Sequence, residues 1–126
     1  MTYKLKPQIK KLWIKALKSG KYNQGKGALC NINNQFCCLG VLCDLHRIKV
    51  LKKGKHVWKK SSKGTVIFSY LDNNGILPRQ VANWAYQKNI FSELNPMVND
   101  RVDTLSSLND TTTSFKEIAD IIEKQL

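Results

Sequence analysis

Apolar residues at helical spacing mark both ends of the chain. After Pro7 they recur three and four positions apart with lysines on the other faces, and Gly20 stands where such a helix would end. This pattern predicts a helix over 7–19. Near the other end, Ser114 and Glu117 have the spacing of a capping box, which predicts a last helix beginning at Phe115. The apolar positions of the two helices are Ile9, Leu12, Trp13, Ala16 and Leu17, then Phe115, Ile118, Ala119, Ile122 and Leu126.

Between these helices the pattern changes to short segments separated by turns. Residues 28–33 and 36–39 predict two antiparallel strands around a turn at Asn33-Asn34, since asparagine tolerates left-handed backbone. Residues 40–48 then predict a short buried helix. Its inward side chains would be Val41, Leu42, Leu45 and Ile48.

The second half has weaker patterns of the same kind. The predicted elements are weak strands over 49–63 around a turn at 53–55, a strand over 65–70, an Asn-Gly hairpin turn at 72–75, a helix over 77–87 and a short strand over 101–105. Together they predict one α+β domain over 1–126, in which the N-terminal and C-terminal helices pack on a small, largely antiparallel sheet. The predicted core is Leu12, Trp13, Leu17, Leu29, Phe36, Cys38, Leu39, Leu42, Trp84, Phe115, Ile118 and Ile122.

Charge is distributed very unevenly along the chain. Residues 1–63 carry 16 lysines and arginines but one acid, Asp44, whereas residues 64–126 carry 5 basic and 8 acidic residues. A positive field of this kind favours polyanions, although it is also what a lysine-rich composition gives when charge only maintains solubility. There is no secretory signal and no apolar run near the roughly 20 residues that span a bilayer. We therefore expect a soluble cytoplasmic protein without a membrane partner.

The four cysteines, at 30, 37, 38 and 43, offer several kinds of chemistry. Without a signal peptide we expect reduced, buried thiols. Cys37, Cys38 and Cys43 with His46 could supply four zinc ligands, but adjacent cysteines on a strand point to opposite sides. Gln24 and Cys30 have the spacing of a thiol protease, without the helix start that such a nucleophile needs. Carboxylates form no hydrolase or two-metal pattern, so we expect no enzymatic activity and no cofactor.

The segment Lys21–Gly27 is the best candidate for ligand binding. Its glycines would let backbone N–H groups approach an anion, Lys26 would add charge, and Tyr22 could stack on a base. The alternative is an ordinary helix-to-strand connection. The predicted ligand-binding residues are Tyr22, Gln24, Gly25, Lys26 and Gly27, with Asn109, Asp110 and Thr111 as polar partners.

Three classes of partner fit these features. An anionic small molecule, such as a nucleotide or a nucleotide second messenger, suits the glycine-lysine segment. An acidic host protein would suit the basic first half as a whole. Lysines interleaved with Trp13, Tyr22, Trp58 and Tyr70 also favour nucleic acid, although arginine is scarce and no known DNA- or RNA-binding motif is present.

One string is distinctive beyond its composition. Phe36-Cys-Cys-Leu-Gly-Val-Leu-Cys-Asp44, with 12–29 before it and 114–120 after it, resembles a family of small phage and prophage proteins. The resemblance implies a viral, intracellular setting and no catalytic activity. Small phage proteins without an enzyme signature often counter bacterial defence, by blocking a protein or by sequestering a nucleotide signal.

Overall fold

The structure, a computed structural model, describes residues 5–60, 67–86, 95–98, 103–111 and 113–126. Helices and short strands alternate along these residues. The helices are α1 (Pro7–Lys18), α2 (Cys38–His46), α3 (Arg79–Ala85), α4 (Leu105–Asn109) and α5 (Phe115–Gln125). A π-helical turn, Arg47–Leu51, continues α2, and a 3-10 turn, Lys55–Val57, precedes a strand.

The strands form two sheets. They are β1 (Asn23–Gln24), β2 (Cys30–Asn31), β3 (Gln35–Phe36), β4 (Trp58–Lys60), β5 (Ile67–Tyr70), β6 (Met97–Val98) and β7 (Asp103–Thr104). Within the described residues the main sheet has the order β1-β3-β2-β5-β4, and β6 pairs with β7. All pairs are antiparallel except β1 with β3. The predicted α+β class, with terminal helices against a small and largely antiparallel sheet, is confirmed.

The two terminal helices pack against each other, and α1 also contacts α2. Trp13 is completely buried, and its indole N–H donates to the carbonyl of Cys38, 2.9 Å away. At the start of α5 both capping-box hydrogen bonds between Ser114 and Glu117 are present. Both helices therefore form where their apolar stripes and caps predict them.

Helix α2 lies at the centre of the molecule, and all nine of its residues are buried. It begins two residues earlier than predicted, because the Cys37 sulfur accepts the Gly40 N–H and caps the helix there. The predicted strand over 36–39 is therefore wrong for Cys38 and Leu39, and β3 ends at Phe36. The preceding strand covers only Cys30–Asn31 of the predicted 28–33.

Ile48, predicted to point inward, is instead 43% exposed. The π-helical turn begins at Arg47, and its wider winding changes which positions face the core. Arg47 takes the buried position because its guanidinium pairs with Asp44 one turn earlier. The periodicity of a regular α-helix cannot anticipate this change.

Farther along the chain the predictions differ mainly in where turns fall. The chain reverses at Leu71 and Asp72, both with positive φ, and not at Asn74-Gly75. Tyr70 and Asn73 exchange backbone hydrogen bonds across this turn, while the Asn74 carbonyl accepts from Leu29. Only Trp58–Lys60 of the predicted 49–63 is a strand.

Several predicted boundaries fall outside the described residues. These are positions 61–63, 65–66, 87 and 101–102. Helix α3 begins at Arg79 after Pro78, and Leu105, predicted as a strand end, begins α4.

The predicted core is largely confirmed. Leu12, Phe36 and Trp84 are half-buried at its edge, and the other nine predicted residues are buried. None of the helices in the described part of the chain is both long and apolar enough to cross a membrane.

Candidate functional site

A small pocket opens on one face of the main sheet. Pairing places Cys30 opposite both Phe36 and Phe68, and places Trp58 opposite Tyr70. Residues directly opposite in antiparallel strands point to the same face, so these side chains converge. The resulting pocket has a volume of about 90 Å³ and is lined by Cys30, Asn34, Phe36, Asp44, Lys55, Trp58 and Phe68. We refer to it as the aromatic pocket.

Contacts between rings hold the walls of the aromatic pocket in place. Phe36 packs edge-to-face on Trp58, with ring centroids 5.7 Å apart, and Tyr22 packs in the same way behind Phe36 at 5.2 Å. Trp58 contacts Tyr70 at 5.0 Å. Each such contact favours one ring orientation. The pocket is thus preformed in the absence of a ligand.

Beneath the aromatic pocket, Asp44 accepts hydrogen bonds from three side chains. Arg47 binds both oxygens, at 2.7 and 3.1 Å, while the Tyr22 hydroxyl donates at 2.7 Å and the Trp58 indole N–H at 3.0 Å. Burial alone would raise the pKa of Asp44, but these hydrogen bonds and the charge of Arg47 outweigh it and lower the pKa. Asp44 is therefore an ionised carboxylate that fixes the orientation of Trp58.

The mouth of the aromatic pocket is positively charged. Lys55 lines it, and Lys60 lies opposite Phe68 in the sheet and so projects from the same face. Asn34, in a left-handed turn conformation at φ 57°, brings its amide to the rim. Asp44, the acid among the lining residues, is neutralised by Arg47. This combination of flat apolar walls and a cationic rim suits a planar, anionic ligand.

Many of the residues predicted to bind a ligand are brought together by the structure, but they bind one another. Gln24 donates to the Asn109 side chain and to the Thr113 carbonyl, and accepts from the Phe115 N–H. Asn109 is fully buried, donates to the Gly25 carbonyl at 2.7 Å and accepts from the Cys38 N–H. This network attaches the glycine-lysine segment to the starts of α2 and α5.

The remaining predicted residues lie at the surface of the same region. The Gly27 N–H donates to the Asp110 carboxylate at 2.9 Å, so an acidic side chain of the protein already occupies this donor. Thr111 donates to the Leu108 carbonyl, and Lys26 is exposed. Tyr22 points away from this network, towards Asp44.

Tyr22 and Gln24 also line an open cleft of about 470 Å³ between the end of α1 and the start of α5. Lys18 and Lys116 lie at its border, and Lys18 forms an ion pair with Asp120 at 3.1 Å. This cleft is more open than the aromatic pocket and has fewer aromatic walls.

The cysteines and His46 serve the core. Cys38 donates to the Leu105 carbonyl, and the His46 ring bonds to the Tyr70 hydroxyl at 2.7 Å. Among the residues described, no three His, Cys, Asp or Glu side chains are grouped as a metal site would require. All four thiols are free and buried, and burial raises the pKa of Cys30 to about 12 and that of Cys37 to about 11.

These thiols are expected to react slowly. At pH 8 the native protein should be alkylated by iodoacetamide at least about tenfold more slowly than the protein in urea, because the thiolate is the reactive form and burial disfavours it. Intact-mass spectrometry of samples kept reduced would follow the four additions. A single thiol that reacts rapidly in the native protein would contradict this prediction.

Sequence analysis did not identify the aromatic pocket, although it placed Phe36 in the core and noted Trp58 as an aromatic residue among lysines. Phe68, Lys55 and Asn34 were not singled out. The available signal was the alternation of Phe68 and Tyr70 on one strand, with Trp58 and Lys60 alternating on another.

Comparison with known proteins places the chain in a family. No curated protein and no solved structure matches it. One family model matches residues 5–126, nearly the entire chain and all of the aromatic pocket. The protein belongs to the family described as a domain of unknown function (DUF8296).

Proposed function

We propose that the protein is a non-enzymatic binding protein for a nucleotide or a nucleotide second messenger, whose base enters the aromatic pocket. The observation that carries this proposal is the convergence of Phe36, Trp58 and Phe68 with Lys55 at one small, preformed pocket. In the viral setting that the sequence resemblance implies, such a protein would counter host defence by sequestering the nucleotide.

The size and chemistry of the aromatic pocket support a base as its occupant. Its volume of about 90 Å³ is of the same order as the roughly 150 Å³ of an apolar cavity that holds one benzene ring. Stacking of a base on an aromatic side chain contributes about 1–3 kcal/mol. The Asn34 amide offers both a donor and an acceptor to the edge of a base.

The cations around the mouth support a phosphate-bearing ligand. Lys55 and Lys60 would lie outside the base and could approach phosphates as mobile point charges. The sugar and phosphates would remain in solvent, because the pocket holds about one ring. Affinity should therefore depend on the base and only moderately on salt.

The ionisable groups beneath the ligand support binding without catalysis. Each oxygen of Asp44 already accepts two hydrogen bonds, which leaves it poorly placed to act as a base. Burial holds the Cys30 thiol in its protonated form.

A thermal-shift screen at low and moderate salt tests the proposal. The panel contains mononucleotides, dinucleotides, cyclic oligonucleotides, NAD-derived signals and short single-stranded RNA and DNA. A ligand present at a hundredfold excess over its dissociation constant stabilises the native state by about 2.7 kcal/mol. We expect a salt-resistant hit among the small nucleotides, with quenching of the Trp58 fluorescence that Trp58→Phe abolishes.

Substitutions then locate the site. Phe68→Ala is expected to weaken nucleotide binding by about 1–3 kcal/mol, and Lys55→Glu by about tenfold, measured by titration calorimetry. Lys26→Glu is the matched control, since it makes the same charge change at an exposed position outside the aromatic pocket. It should leave affinity within about twofold because solvent screens the distant charge.

The opposite results are equally informative. Loss of binding in Lys26→Glu with normal binding in Lys55→Glu would place the ligand at the glycine-lysine segment. Affinity that rises with strand length and falls steeply with salt would identify a nucleic-acid-binding protein instead. A panel with no small-molecule hit would contradict the proposal.

A further inference from the structure

A second concave surface lies on the opposite side of Tyr22 from the cleft between α1 and α5. It is a groove of about 270 Å³ between α1 and the π-helical turn that ends α2. Leu12, Ala16, Leu45 and Ile48 form its apolar floor, and Lys15, Lys21 and Lys49 line its edges. We refer to it as the α1–π groove.

The apolar floor of the α1–π groove includes a residue that is costly to expose. Ile48 is 43% exposed although it follows a completely buried helix. The π-helical turn orients it towards α1 and into the groove, where no other side chain of the described residues covers it. An apolar floor with a charged rim is typical of a surface that binds a partner.

The lysines around the groove have no acidic counterpart. Residues 1–63 contain one acid, Asp44, and Arg47 already neutralises it in the interior. Among the described residues, the ion pairs are Arg47–Asp44 and Lys18–Asp120, neither of which includes Lys15, Lys21 or Lys49. Three ammonium groups thus border an apolar surface without compensation.

We propose that the α1–π groove binds an acidic amphipathic helix of a partner protein. Two neighbouring helical elements form its sides, and a third helix fits into such a depression by placing its apolar stripe on the floor. Its carboxylates would then meet the lysines at the edges, which gives attraction before contact and fixes the orientation. The site is separate from the aromatic pocket, so a nucleotide and a partner could bind independently.

The probe is a synthetic peptide of about five helical turns, with leucines at helical spacing on one face and glutamates elsewhere. Fluorescence anisotropy of the labelled peptide with the full-length protein measures affinity. Two comparison peptides carry lysine in place of glutamate, or the same residues with the spacing scrambled. We expect binding of the first peptide only, weakened less than about tenfold between low and physiological salt because apolar burial contributes.

Ile48→Glu is expected to weaken binding at least tenfold, since it removes apolar contact and adds repulsion. Ile76→Glu is the matched control, because Ile76 is 41% exposed and lies outside the groove. It should change affinity less than twofold. Lys49→Glu should give an intermediate loss without changing the thermal stability of an exposed position.

Each alternative result overturns the proposal. Equal binding of the scrambled peptide, or equal losses in Ile48→Glu and Ile76→Glu, would reduce the interaction to unspecific attraction of a polyanion. Failure of the acidic peptide to bind would remove the proposed occupant. A dimer in sedimentation that Ile48→Glu disperses would assign the groove to a second copy of the chain.

Discussion

Gly40→Ala is expected to destabilise the folded protein by at least about 3 kcal/mol. A β-carbon at this position would overlap the carbonyl oxygen of Leu29 and lie 2.7 Å from its carbonyl carbon. Both obstacles are backbone atoms, which cannot rotate aside as a flexible side chain can. The Leu29 carbonyl also accepts the Cys37 N–H at the start of α2, so displacing it weakens that hydrogen bond.

The sign of this effect is informative because intrinsic helix propensity favours the substitution. Alanine is better than glycine inside a helix by about 1 kcal/mol. A net loss therefore measures how closely α2 approaches the strand segment at Leu29. Gly75→Ala is the matched control, since a β-carbon there meets nothing within 4 Å. It should change stability by less than about 1 kcal/mol.

Urea denaturation followed by far-UV circular dichroism compares the three proteins. A shift of the midpoint with an unchanged slope would report stability alone. If Gly40→Ala unfolds at the wild-type urea concentration, the close contact between α2 and Leu29 is not present in solution. The aromatic pocket depends on the same contact, since Cys30 follows Leu29 directly.

The terminal helices could be predicted because their signals are local. In α5, the Ser114–Glu117 capping box fixes the start and an apolar stripe fixes the buried face, all within one segment of sequence. In α1, Pro7 at the start and the stripe around Trp13 do the same. Such signals act between residues a few positions apart, so no knowledge of the tertiary structure is needed.

The sheet could be predicted only as a class. Its strands are two to four residues long, and their bounds depend on partners far away, such as Cys30 with Phe68. Propensity has little influence on such short elements. The aromatic pocket requires three strands in register, which is why sequence analysis noted some of its residues without assembling them.

The glycine-lysine segment illustrates a different limit. Residue types alone indicated that Gln24 and Asn109 would lie in one polar region, and the structure joins them. They could not indicate that these groups satisfy one another, because hydrogen-bond geometry is set by the tertiary fold. A buried asparagine with three bonded partners is as consistent with structure as with binding.

Asp44 left a signal in the sequence that is worth noting. It is the one acid among 16 basic residues in positions 1–63, and Arg47 follows it at helical spacing. A lone carboxylate in so basic a segment indicates a buried partner for a cation. The structure places it beneath the aromatic pocket, bound to Arg47, Tyr22 and Trp58.

Asp44→Ala is accordingly expected to cost about 3–5 kcal/mol at pH 7. The loss arises because the Arg47 guanidinium, itself 8% exposed, would remain charged without its counterion. The Tyr22 hydroxyl and the Trp58 indole N–H would also lose their acceptor. Asp120→Ala breaks the surface pair with Lys18 and is the matched control, with an expected cost below about 1 kcal/mol.

A double substitution distinguishes loss of the ion pair from general damage to the core. Asp44→Asn with Arg47→Met removes both charges, so no uncompensated cation remains in the interior. This protein should be more stable than Asp44→Asn alone, since replacing a buried ion pair is often nearly neutral whereas breaking one is not. Equal instability of the single and double variants would contradict the assignment.

The dependence on pH supplies the final test of Asp44. Its hydrogen bonds and the charge of Arg47 lower its pKa in the folded state, so the unfolded chain takes up the proton first as pH falls. The stabilisation is therefore complete above about pH 4 and is lost as pH falls through the folded-state value. In urea denaturation the gap between wild type and Asp44→Ala should be constant from pH 7 to 5 and narrow below about pH 4. A gap that stays the same in acid would mean that packing around residue 44, and not its charge, holds the wall of the aromatic pocket.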